Sequence, residues 1–215
     1  MSEKKCQNKN IILISSIIAI IIIVIGVIFY FIKPQAVKQN EGEKIDKLYE
    51  SLKEKSGYSF EAKLDKDNKT FFVKQSNQAY LEEITDGNEM KIIVKDENTY
   101  LLKDDEKAYY IYKNNDTNLN KIEDTLEEVK DLEYEVGKEN IDNKTYTYVE
   151  ISRSTDFVIM DLEGVKQIKT RFYFSGDKLD YIKTIADQKQ ELLKITISDN
   201  IDRNLFEIPA DYEEK

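Results

Sequence analysis

Residues 11–32 carry no charged side chain; the run opens at Ile11, closes at Ile32 and is interrupted only by Ser15, Ser16, Gly26 and Tyr30. At about 1.5 Å of rise per residue a helix of this length reaches roughly 33 Å, enough to cross a hydrocarbon core of about 30 Å. A helix satisfies its own backbone hydrogen bonds, so it is a stable way for such a run to sit in lipid. The pattern predicts one membrane-spanning helix. Lys4, Lys5 and Lys9 outweigh Glu3 on its amino side, and basic flanks stay in the cytoplasm. The expected layout is a cytoplasmic tail at 1–10, a transmembrane helix at 11–32 and one extracytoplasmic domain at 33–215. A cleaved signal peptide would have a shorter apolar core, of about 7 to 15 residues, and a small-x-small exit; here the exit ends at Lys33, Pro34, Gln35 and Ala36.

Next, Ile45, Leu48, Tyr49 and Leu52 recur at i, i+3, i+4 and i+7 before Ser56 and Gly57, which predicts an amphipathic helix over 37–55 stopped by glycine. The period then drops to two. Aromatic and β-branched runs at 58–64, 70–75, 79–84, 90–95, 99–103 and 108–113 alternate with short turns rich in Asp, Asn and Gly. Such turns join antiparallel neighbours, so these six runs predict a meander. Leu119, Ile122, Leu126 and Val129 return to helical spacing and predict an internal helix at 117–132. Four more strands are expected at 145–152, 167–174, 179–186 and 191–198, with 155–162 open between a short helix and an edge strand. Ten strands with two or three helices, and no long linker or repeat, make one α+β domain.

Charge and residue inventory narrow the function. Beyond residue 10 there are 29 Lys and Arg against 41 Asp and Glu, a balance that disfavours nucleic acid and anionic lipid surfaces as partners. The chain has no histidine, and its one cysteine, Cys6, precedes the apolar run. His-based triads, the usual zinc sets and disulfides in the exported part are thereby excluded. No phosphate-binding glycine motif occurs, and no cofactor or metal is implied. The acidic pairs Asp65/Asp67, Asp104/Asp105 and Glu82/Glu83 are read as turn acids, because Asp and Asn suit turn geometry. No catalytic residue is assigned.

The strands are rich in rings, with 14 Tyr and 9 Phe but no Trp in the whole chain. Tyr100, Tyr110, Tyr112, Tyr146, Tyr148, Phe172, Phe174 and Tyr181, with Tyr109 and Tyr173 beside them, are the candidates for lining an apolar cavity. The alternative is ordinary sheet packing with half-buried rings.

Three stretches carry a family resemblance: "NTYLLKDDEKAYYIYKN" at 98–114, "FYFSGDKLDYIKT" at 172–184 and "LFEIPADYE" at 205–213. Together with the order of helix, meander, internal helix and second meander, they make the chain resemble the LolA-like superfamily of outer-membrane lipoprotein carriers. The likeness runs over about 37–213, in the form of the membrane-anchored, lipoprotein-sorting-like Gram-positive relatives. The resemblance implies an unclosed β-barrel, or half-barrel, wrapped round helices, with an apolar hollow that in carriers holds acyl chains. A tethered chain cannot shuttle between membranes as carriers do. The expectation is therefore a non-enzymatic binding protein, held in the cell membrane by its N-terminal helix, with a lipid or lipoprotein acyl chain as ligand. The alternative is an envelope-protein interaction or sensor module without a small ligand.

Overall fold

The computed structural model describes residues 43–113, 121–130, 132–154, 167–186 and 189–215. The expected anchor at 11–32, its tail, Ala36, the first turns of both expected helices and the ambiguous piece at 155–162 lie outside these residues. Among the described residues no helix is long and apolar enough to cross a membrane.

The first helix, α1, spans Glu43–Lys53 and buries Ile45, Leu48, Tyr49 and Leu52, the four positions its periodicity singles out. Six strands follow: β1 Gly57–Lys63, β2 Lys69–Gln75, β3 Gln78–Thr85, β4 Asn88–Lys95, β5 Asn98–Lys103 and β6 Ala108–Lys113. Two-residue loops join β3 to β4 and β4 to β5, with positive φ at both positions: Asp86 48° and Gly87 77°, then Asp96 52° and Glu97 62°. That is the backbone of a type I′ turn, whose twist matches that of paired strands. The second helix, α2, covers Lys121–Lys130. After it come β7 Glu135–Ile141, β8 Lys144–Ser154, β9 Gln167–Ser175, β10 Lys178–Ala186 and β11 Lys189–Ser198. A 3-10 turn at Arg203–Phe206 and a short β12 at Glu213–Glu214 close the chain.

All twelve strands join one sheet in the order β12-β6-β5-β4-β3-β2-β1-β11-β10-β9-β8-β7. Two antiparallel meanders meet where β11 pairs with β1, and β12 adds the parallel pair, beside β6. The sheet does not close, since its end strands are β12 and β7.

Both helices pack on one face, here the inner face, and against each other. Their apolar stripes meet Tyr58 and Phe60 of β1, Val149 of β8, Phe172 and Phe174 of β9, Ile182 of β10 and Ile195 of β11. On the outer face the C-terminal segment lies across the first meander, with Phe206 set among Val73, Tyr80, Ile93 and Leu102. Asp202 caps the 3-10 turn by accepting from the Asn204 amide at 3.0 Å.

Two expectations need correction. Among the described residues the sheet has twelve strands, not ten. The sequence of β7, EVGKENI, offers one glycine and several polar residues in place of a β-rich alternation, as an edge strand tolerates. The ring of Tyr148 lies over Gly137, where a Cβ would come within 2.3 Å of it. Second, Glu82 and Glu83 are not turn acids; both sit inside β3, on opposite faces.

Candidate apolar binding face

Hairpin register carries the inner-face row of the core into the first meander. Ile197 pairs with Phe60 and Phe60 with Phe72. Phe72 in turn pairs with Leu81, Leu81 with Ile92, Ile92 with Leu101 and Leu101 with Tyr110. Because side chains alternate across a strand, these residues all point to the face that carries the helices. The helices cover only part of the row. Phe72 packs against the core beneath them, whereas Leu81, Ile92, Leu101 and Tyr110 join none of the three hydrophobic clusters formed by the described residues. Val94 and Met90 flank them on β4, half-buried likewise. Strands lie about 4.8 Å apart, so the strip from β3 to β6 is roughly 14 Å long, the length scale of a medium-length acyl chain.

At one margin of the strip the character changes. Thr70 of β2 is the cross-strand partner of Glu83 of β3, and Thr85 follows two positions on, so all three share the inner face. Glu83 is only 6% exposed. Among the described residues, Thr70 Oγ1, Glu83 Oε1 and Thr85 Oγ1 have no hydrogen-bond partner. Burial pushes the Glu83 carboxyl up from 4.5 to about 7. Glu82, facing the other way, has Lys69 at 2.7 Å and accepts from the Tyr80 hydroxyl at 3.0 Å.

The eight rings expected to line a cavity are divided by the structure. Tyr110 and Tyr112 stand on the inner face of β6, Tyr112 53% exposed. Phe172 and Phe174 are also on the inner face but lie buried under the helices as part of the filled core. Tyr100 is on the outer face, 6.1 Å from Tyr109 and packed against the C-terminal segment. Tyr146, Tyr148 and Tyr181 gather on the outer face of the second meander round the fully buried Tyr173. The strip left uncovered by the described residues is mostly aliphatic, so aromatic character marks Tyr110 but not Leu81, Ile92 or Leu101. Register finds them: two-residue loops join β2, β3, β4 and β5, so the partners of Phe72 can be counted outward to Leu81, Ile92 and Leu101.

The outer-face rings are locked by charge. Glu150, almost wholly buried, accepts from Lys169 at 2.6 Å and from Arg171 at 2.5 Å. Glu139 accepts from Arg171 at 2.8 Å, from the Tyr173 hydroxyl at 2.6 Å and from Lys183. The Arg171 guanidinium stacks 4.4 Å from the Tyr148 ring centre. Burial pushes the Glu150 carboxyl up, but the hydrogen bonds from Lys169 and Arg171 outweigh it and hold the group below its ordinary value. This is a satisfied network, with little capacity left for a ligand.

No family model matches the sequence, and no curated protein matches it. Solved structures do. LprF from Mycobacterium bovis superposes with a TM-score of 0.52 at 10% identity, over 82% of this chain and 99% of that one. The fold is that of LprF. The lipoprotein LppX from Mycobacterium tuberculosis matches with a TM-score of 0.43 and 13% identity, over 75% of this chain and 96% of that one. A LolA superfamily protein, NE2245 from Nitrosomonas europaea, matches with a TM-score of 0.25 and 8% identity, over 70% of this chain and 88% of that one. At such identity the likeness to LprF concerns the fold alone, and function has to be argued from the site.

Proposed function

We propose that the chain is a membrane-tethered, extracytoplasmic binding protein, without enzymatic activity, that seats an acyl chain of a lipid or lipoprotein along the inner face of β3 to β6. The observation that carries this reading is the row Leu81, Ile92, Leu101 and Tyr110, which continues the core in register yet packs against neither helix nor tail among the described residues. Burying one methylene contributes about 0.8 kcal/mol, so about ten of them supply about 8 kcal/mol, of the order of micromolar affinity. The run at 11–32 holds the domain beside one bilayer, with residues 1–10 in the cytoplasm. Tethering suits a protein that receives or presents a chain at that membrane, not one that ferries it to another.

The test is to purify the full chain from membranes in nanodiscs and extract what remains bound after washing. The expected result is a stoichiometric lipid or acylated peptide, lost on Ile92→Lys. A protein free of bound lipid that also fails to take up added acyl chains overturns the proposal.

A further inference from the structure

The margin of the apolar strip is built for something the apolar reading does not explain. Thr70, Glu83 and Thr85 place three buried oxygens on one face of two adjacent strands, and none of the three has a partner among the described residues. Leaving a buried polar atom unpaired costs about 1 to 3 kcal/mol, so three together are an expensive arrangement unless a ligand completes it. A fourth such atom, Thr184 Oγ1, lies apart on β10. Met90 is the partner of Glu83 on β4, so the three polar groups adjoin the aliphatic strip.

Resting on the acyl-chain reading above, we infer that Thr70, Glu83 and Thr85 form a head-group subsite for a neutral, hydroxyl-bearing amphiphile whose tail lies along Ile92 and Leu101. Two of the three groups are hydroxyls, each able to donate and to accept. A ligand hydroxyl matches that double capacity, whereas an ammonium only donates and brings a buried ion pair with its desolvation cost. A carboxylate or phosphate head would be set against Glu83. The rise of the Glu83 carboxyl toward neutrality is in keeping with this, since its protonated form both donates and accepts.

The experiment uses the full chain in phosphatidylcholine nanodiscs and three photoreactive probes with one identical long acyl chain: a monoacylglycerol, the free fatty acid and the primary amine. Labelling of peptides from β3 to β5 is read by mass spectrometry as each probe is titrated. The monoacylglycerol is expected to half-saturate at a concentration about tenfold below the other two, the effect of one well-made buried hydrogen-bond set. Glu83→Leu and, separately, Thr70→Val are expected to bring the three probes within about twofold of one another while labelling of the strip persists. Equal labelling by all three probes in the unaltered chain, a preference for the acid or the amine, or a preference unchanged in both variants overturns the head-group subsite and leaves the acyl site standing. Absence of labelling on these strands by any probe overturns both.

Discussion

The Tyr58 hydroxyl donates to Glu123 Oε2 at 2.8 Å, a buried bond between β1 and α2. Lys74 of β2 reaches the other oxygen of the same carboxylate at 2.5 Å. These two contacts pin α2 over the seam between the meanders and so fix where helix cover ends and the uncovered strip begins. Burial, with the Glu123 charge beside it, pushes the Tyr58 phenol far up, so the hydroxyl keeps its proton as a donor throughout the ordinary pH range. Tyr58→Phe should cost about 1.5 to 3 kcal/mol, because it leaves a buried carboxylate short of a donor. Urea denaturation of the two proteins side by side measures it; a loss within the error of the method would show that α2 is held by its apolar stripe alone.

Glu83 should make stability depend on pH in the sense opposite to a salt-bridged acid. Its folded value of about 7 lies above the ordinary 4.5, so between these limits the folded chain binds more protons than the unfolded one. The stabilisation is fully present below about 4.5 and is lost as pH rises through 7, amounting to about 3 kcal/mol at most. Glu83→Gln should flatten that decline. Melting curves at about pH 5.5 and about pH 8 check it, and an equal decline in the variant would assign the effect elsewhere.

Glu150 works in the ordinary direction. Its carboxyl is held low by Lys169 and Arg171, so its contribution is present above the unfolded value and disappears as pH falls through the folded one. Glu150→Ala would take the acid partner from Lys169, leave Arg171 with Glu139 and remove the centre of the network. A loss of about 3 kcal/mol near neutral pH is expected, measured by denaturation, and it should shrink on acidification. A loss that grew with acid would contradict the assignment.

Substitutions should separate the strip from the core. Ile92→Lys, on a half-exposed position, is expected to weaken acyl-chain binding at least about tenfold while costing less stability than Phe172→Ala, whose ring lies under the helices; large core truncations cost about 3 to 5 kcal/mol. Binding and melting measured on both variants decide it. If Ile92→Lys unfolds the chain and Phe172→Ala abolishes binding, the strip and the core have been exchanged.

Much of this fold was legible because its elements obey simple periods. The four apolar positions of α1 were readable at helical spacing, and each hairpin of the first meander was marked by Asp, Asn or Gly in its loop. What the sequence concealed has physical causes. β7 has almost no alternation because it lies at an edge, with Gly137 under the Tyr148 ring. The sidedness of the rings was hidden because both faces of this sheet are covered in part. Adjacent residues such as Ile92 and Ile93 are both apolar but serve different surfaces, Ile93 packing under the C-terminal segment and Ile92 facing the helix side. A choice of lining residues by aromatic character therefore mixed the two faces: Tyr110 belongs to the strip, while Tyr100, two strand positions from the type I′ turn, points away from it. Glu83 was hidden by its neighbour, since a pair of adjacent acids looks like a solvated turn until the strand places them on opposite sides.

The chain has no tryptophan, which permits a direct test of the central claim. Leu101→Trp puts a fluorophore on the inner strip, and Tyr109→Trp puts one on the outer face of the adjoining strand. Each variant, in nanodiscs of unbrominated phosphatidylcholine, is titrated with an amphiphile brominated along its acyl chain. An acyl chain seated on the inner face of β3 to β6 predicts saturable quenching of the tryptophan at position 101 and little at position 109. Quenching that is equal at both positions, stronger at 109 or absent from both would contradict it.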